Sequence, residues 1–143
     1  MKITICGSIA LTPNIIEILK ELQKTENEVL IPSTSEKIHK GEISLDGIKK
    51  DKTSGDIVER VIREDLIREH YKKIKSSEAI LVANFDKNNI KNYIGGNTLM
   101  EMGFAHVLNK KIYLFNDIPE MIYTEEIRAM QPIILYKDLK KIK

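Results

Sequence analysis

The sequence predicts an α/β protein in which a parallel β-sheet carries helices on both faces. Three observations lead there. Lys2–Cys6 ("KITIC") and Ala79–Asn84 ("AILVAN") are β-branched or apolar runs of the kind that form strands buried on both sides. Longer stretches between such runs place apolar residues at helical spacing. The two kinds alternate along the chain with short links, which is the order that builds parallel sheets.

Lys2–Cys6 stops at Gly7-Ser8, a strand followed by a tight loop. Thr12 and Pro13 then offer an N-cap and an N1 proline. Ile15, Ile16, Leu19 and Leu22 form the stripe of a first helix ending near Lys24. Val29–Ile31, closed by Pro32, is a second strand and completes a βαβ unit. From Ser33 to Gly55 the pattern collapses into three glycines, many charges and few apolar residues. This segment, 33–55, is expected to be a long mobile loop, either a lid or a solvated insertion. Asp56 opens one long helix to about Ser76, with Ile57, Val61, Ile62, Leu66, Ile67 and Ile74 facing inward. Ala79–Asn84 is the central strand. A helix over 98–109, a strand over 111–115, a loop with Pro119, a short helix over 124–129 and a last strand over 132–136 follow. No repeat or boundary interrupts the 143 residues, which are read as one domain, 1–143.

Composition narrows the partners. Hydrophobic residues at 42% and charged residues at 31% describe an ordinary globular protein. A formal charge of +2 is too small to imply nucleic acid or a membrane surface. The only cysteine, Cys6, cannot form an internal disulfide, so a cytoplasmic setting is expected. The N-terminal apolar stretch is broken by Thr4 and Gly7 and leads to a helix start rather than a cleavage site. No segment approaches the roughly 20 apolar residues that span a bilayer.

Ligands of such sheets bind beyond the carboxyl ends of the strands. That rule selects Cys6-Gly7-Ser8-Ile9, Asn84 to Thr98, and Asn116 to Tyr123. Gly7 and Ser8 let a ligand approach the backbone, and Gly95-Gly96-Asn97-Thr98 would present free N–H groups to an anion at a helix start. Glu101 has two readings. Thr98 to Glu101 spells a capping box, in which the carboxylate turns back to the Thr98 N–H. Alternatively, the carboxylate lines a cleft, where the helix dipole keeps it ionised while apolar neighbours oppose ionisation by desolvation, and an ionised but poorly solvated carboxylate is a competent nucleophile toward a sugar carbon. Asp86 contacts a ribose hydroxyl or turns the chain. Cys6 ends its strand beside the cleft as a small buried hydrophobe. His39 is read as solvated, and His106, off the face of Glu101, as structural or interfacial. His70 lies about two turns before the end of the long helix. No second histidine or cysteine stands at metal spacing from these, so no metal or organic cofactor is expected.

"CGSI" closing the first strand, the apolar central strand and a glycine-rich turn leading to "MEMGFA" together resemble the nucleoside 2-deoxyribosyltransferase family. The "CGSI" loop looks most like that of the 2'-deoxynucleoside 5'-phosphate N-hydrolases. The likeness runs from Lys2 to about Ile134, outside the segment after Pro32. It implies a flavodoxin-like, Rossmann-like three-layer sandwich with five parallel strands in the order 2-1-3-4-5. It implies Glu101 as the nucleophile that forms a glycosyl-enzyme, resolved by water or by a second base. Ser8 and Ile9 would line the sugar or phosphate pocket, and Tyr123 to Met130 would reach a neighbouring subunit's site in a homodimer or larger homo-oligomer. Three positions depart from the family pattern. His70 replaces an assisting aspartate, Ala10 an arginine after the "CGSI" serine, and Gly95 a substrate-reading serine or aspartate. His70 would orient Glu101 or protonate the leaving base. The sequence thus points to an enzyme that cleaves or exchanges the N-glycosidic bond of a nucleoside or nucleoside 5'-monophosphate. A non-catalytic nucleotide-binding module on the same fold is the alternative.

Overall fold

A computed structural model describes residues 1–143. The strands are β1 (Lys2–Cys6), β2 (Glu28–Leu30), β3 (Ala79–Val82), β4 (Lys111–Leu114) and β5 (Ile133–Ile134). All pair in parallel in the order β2-β1-β3-β4-β5, as the sequence led us to expect. The helices are α1 (Thr12–Leu22), α2 (Ser33–His39), α3 (Leu45–Ser54), α4 (Ile57–Arg63), α5 (Leu66–Ser76), α6 (Gly96–Val107) and α7 (Thr124–Ala129). β5 is shorter than expected because Gln131, Tyr136 and Lys137 take left-handed backbone on either side of it. Thr12 lies inside α1 rather than capping it, and its hydroxyl donates to the Ile9 carbonyl.

Strand alternation sorts the sheet into two cores. Ile3, Ile5, Leu81 and Tyr113 pack against Ile15, Ile16 and Leu19 of α1 on one side. Cys6, Ile80, Val82 and Leu114 face the other side, where they meet Ile74 of α5, Met102 and Ala105 of α6, and Ile127 of α7. The sequence therefore forms a three-layer α/β sandwich, and Cys6 points into the layer that α5 and α6 cover. No helix is long and apolar enough to cross a membrane.

The expected loop over 33–55 is instead helical. α2 buries Thr34 and Ser35, and Ser35 shares a hydrogen bond with Thr12 at 2.9 Å. α3 buries Ile48 alone and is capped by Ser44, whose hydroxyl accepts from the Gly47 N–H. Gly41 and Gly55, with φ of 74° and 86°, stand just after the two helices, where a left-handed residue ends a helix. These glycines signal helix ends, not a flexible tract.

The expected long helix over 56–76 is broken. Asp65 takes left-handed backbone (φ 49°) and separates α4 from α5. In one straight helix Ile57 and His70 would stand roughly 20 Å apart along the axis. The break folds α4 back so that both line the same cavity. α4 buries no residue fully and is tied at its side by ionic contacts, Arg60 to Asp51 of α3 at 3.1 Å and Glu64 to Lys37 of α2 at 3.4 Å.

Candidate active site

α6 begins at Gly96, with Gly95 as its N-cap. Thr98 is therefore inside the helix and cannot form a capping box with Glu101, so that reading is overturned. Glu101 instead lies on the buried stripe Thr98, Glu101, Met102 and Ala105, whose spacing faces the sheet. Its Oε1 accepts from the side-chain amide of Asn97, one turn earlier, at 3.2 Å. Its Oε2 is buried without a partner. α5 starts at Leu66, so His70 occupies its second turn, at the carboxyl edge of the sheet. Here Nε2 stands 3.4 Å from Cys6 Sγ and 3.6 Å from Glu101 Oε1. The second of these distances exceeds a hydrogen bond by about half an ångström. His70 Nδ1 is also buried and unpartnered.

Burial governs the protonation of the cluster. Desolvation pushes the Glu101 carboxyl up to about 8, an effect only partly opposed by the adjacent Cys6 thiol. Desolvation, with the nearby positive charge of Lys73, pushes His70 down to about 4. Burial, and then the charge of Glu101, drives the Cys6 thiol well above its ordinary value. At neutral pH the free site therefore holds a protonated carboxyl, a neutral imidazole and a thiol, and His70 and Glu101 are not an ion pair.

His70 and Glu101 line a cavity of about 370 Å³, within the range of small-molecule sites. Gly7, Ser8 and Ile9 line it from the β1 loop, and Gly95, Gly96, Asn97 and Thr98 from the start of α6. Ile57, Val61, Leu66 and Ile67 make an apolar wall. Of the binding residues expected in the chain's own site, Asn84, Asp86 and Cys6 do not line it. Asn84 is fully buried and spends its amide on the β4 loop, donating to the carbonyls of Asn116 and Asp117 and accepting from the Asn116 N–H. Asp86 accepts from the Asn92 N–H and borders a separate depression. Tyr123 donates its hydroxyl to the Ile94 carbonyl of its own chain, and Met130 packs against its own core. Cys6 lies beneath the cavity rather than on its surface.

Sequence reasoning missed Lys52, Lys87 and Tyr93, which also line the cavity. Lys87 donates to Ser8 Oγ at 2.7 Å and sits 5.2 Å from the centre of the Tyr93 ring. Tyr93 also accounts for Gly95. A Cβ at Gly95 would come within 3.1 Å of the Tyr93 ring, so the ring fills the space a side chain there would need.

Cys6, His70 and Glu101 each offer a donor atom within 4.8 Å of the other two. The 3.4 and 3.6 Å separations approach the edges of a tetrahedral zinc site, about 3.3–3.6 Å for ordinary bond lengths.

Fold and site thus define an α/β protein with a ligand-sized cavity above a buried Cys–His–Glu cluster. No family model matches the chain, and no curated protein matches it. Among solved structures, the CMP N-glycosidase BcmB of Clostridium botulinum aligns with 98% of this chain and 93% of its own, at 16% identity and a TM-score of 0.48. Similarity at that level carries no conclusion about chemistry.

Proposed function

We propose that the protein cleaves or exchanges the N-glycosidic bond of a nucleoside or nucleoside 5'-monophosphate, with Glu101 as nucleophile. The observation that carries this reading is the unpartnered Oε2 of a buried carboxyl at the floor of the cavity, beside a neutral imidazole. The "CGSI" and "MEMGFA" resemblance supports it. Before attack Glu101 gives its proton to His70, whose Nε2 needs only a small approach. The carboxylate then forms a bond to the anomeric carbon as the carbon–nitrogen bond breaks, and the electron pair leaves with the base. The His70 proton goes to that base. Water, or the nitrogen of another base, then displaces Glu101 from the anomeric carbon with retention of configuration overall.

Chromatography of a nucleoside and nucleotide panel should reveal release of free base, and intact-mass measurement should detect a glycosyl adduct on the peptide containing Glu101. Nucleotide binding with no base release from any member would leave only a binding module. A second reading comes from the Cys6, His70 and Glu101 donor atoms, two of whose separations approach the edges of a tetrahedral zinc site. In the nucleophile mechanism stoichiometric zinc should inhibit, because it occupies the attacking carboxylate, and a chelator should restore turnover. Turnover that instead requires zinc would remove the nucleophile role from Glu101.

Homo-oligomerisation is part of the proposal. Its support is the outer side of α6, where Met100 is 36% and Val107 80% exposed. Sedimentation at micromolar concentration should show a dimer or larger species. A single species of 16.4 kDa would remove this part of the reading.

A further inference from the structure

The cavity that holds Glu101 carries two lysines that the proposed chemistry does not use. Lys52 comes from α3 and Lys87 from the loop after β3. No carboxylate lies within ion-pair distance of either. Two unpaired ammonium groups on one cavity disfavour each other, and the protein supplies no anion to offset them. Desolvation pushes Lys87 below its ordinary value, followed by the charges of Lys52 and Lys49. Lys52 is lowered by desolvation too, although the residue as a whole remains exposed at the cavity mouth. Cations kept together under these conditions suit an anionic ligand.

Three further features agree. α6 has no side-chain cap, so its first turn, with Gly96 and Asn97 lining the cavity, presents the positive end of the helix dipole there. Ser8 Oγ holds Lys87 in place at 2.7 Å. Ser8 also follows Cys6 by two residues, a reach of roughly 7 Å along extended chain. The Lys87 ammonium group and the Glu101 cluster are thus tied to the two ends of one short loop that borders the same cavity. The cavity itself is built for a ligand, since Glu101 Oε2 and His70 Nδ1 are buried there without partners.

We infer that Lys52, Lys87 and the N-terminus of α6 form a phosphate subsite, which makes the substrate a nucleoside 5'-monophosphate rather than a free nucleoside. This inference rests on the glycosidic reading of the same cavity. It also accounts for two of the departures noted above. With Ala10 in place of an arginine and the Tyr93 ring filling the space beside Gly95, the cationic contacts come from the β3 loop and from α3.

The test is calorimetric binding of matched nucleosides and their 5'-monophosphates, with inorganic phosphate and ribose 5-phosphate as competitors. It uses the wild-type chain, Lys52→Met and Lys87→Met. Methionine keeps the apolar stem, and melting temperature checks that the variants fold. The monophosphate should bind about ten- to a hundredfold more tightly than its nucleoside. Each substitution should shrink that preference about tenfold, and both free phosphates should compete. Equal affinity for nucleoside and monophosphate, or an undiminished preference in both variants, overturns the inference. Base release from nucleosides with no phosphate preference would sink the subsite but leave the reaction. Tight monophosphate binding without base release would sink the reaction but leave the subsite.

Discussion

Glu101→Gln should lower base release at least about 10³-fold while making the protein more stable at and above pH 8. The two effects share one cause. Glutamine keeps the shape and still accepts the Asn97 amide bond, but it has no charge with which to attack the anomeric carbon. It also has no proton to lose. Folded Glu101 holds its proton up to about pH 8, whereas the unfolded chain releases it near 4.5. Between those values the folded state binds the extra proton, so stability falls as pH rises. Removing the titration removes that fall, a gain on the order of a few kcal/mol at pH 8 and above relative to acid pH. Unchanged base release would remove Glu101 from the mechanism. A pH–stability curve identical to wild type would mean that its carboxyl is not buried as described. For the wild type, kcat/KM should stay level between about pH 4 and 8 and fall above about 8, where Glu101 loses the proton that the mechanism passes through His70 to the leaving base.

His70→Asn should reshape the same curve in the opposite sense. Folded His70 stays neutral down to about pH 4, while the unfolded chain takes up a proton below 6.5. Its contribution is therefore fully present above 6.5 and is lost as pH falls toward 4. From about 4.5 to 6.5 the gain from His70 and the loss from Glu101 cancel, and the pair leaves stability flat. Above 6.5 only Glu101 acts, so the wild type should lose about 2 kcal/mol between pH 6.5 and 8. In His70→Asn the decline should begin near pH 4.5. In Glu101→Gln it should vanish, leaving the rising limb of His70. Urea unfolding from pH 4.5 to 8.5 reads all three curves. A flat wild-type curve above 6.5 would show that the two groups do not titrate as their burial implies.

The central strands were legible because double-sided burial leaves continuous apolar runs at β1 and β3, while their order came from the family resemblance. Position along the chain also singled out Gly7, Ser8, Ile9, Gly95, Gly96 and Asn97, all of which line the cavity. What stayed hidden has physical reasons. α3 buries only Ile48 and so has no stripe, and a surface helix of that kind resembles a loop in composition. With α3 went Lys52. The break at Asp65 was invisible because Ile62 and Leu66 keep helical spacing across it, while the left-handed residue is an aspartate rather than a glycine. Cys6 and His70 were each noticed, yet their approach to 3.4 Å depends on where α5 begins. Asn84 misled because a polar residue at a strand end serves the packing of β3 against the β4 loop as readily as it serves a ligand.

The same break divides the cavity into two parts with different tolerance for change. Cys6, His70 and Glu101 are anchored in strand or helix positions that the core holds fixed, so substitution there changes stability as well as chemistry. The wall formed by Ile57 and Val61 belongs to a helix that buries nothing fully and is held at its edge by charges. Its side chains can be exchanged for larger, smaller or more polar ones at little cost to the sheet. Under the proposed function, α4 is therefore the element through which ligand selectivity can change while the Cys6–His70–Glu101 cluster stays as it is.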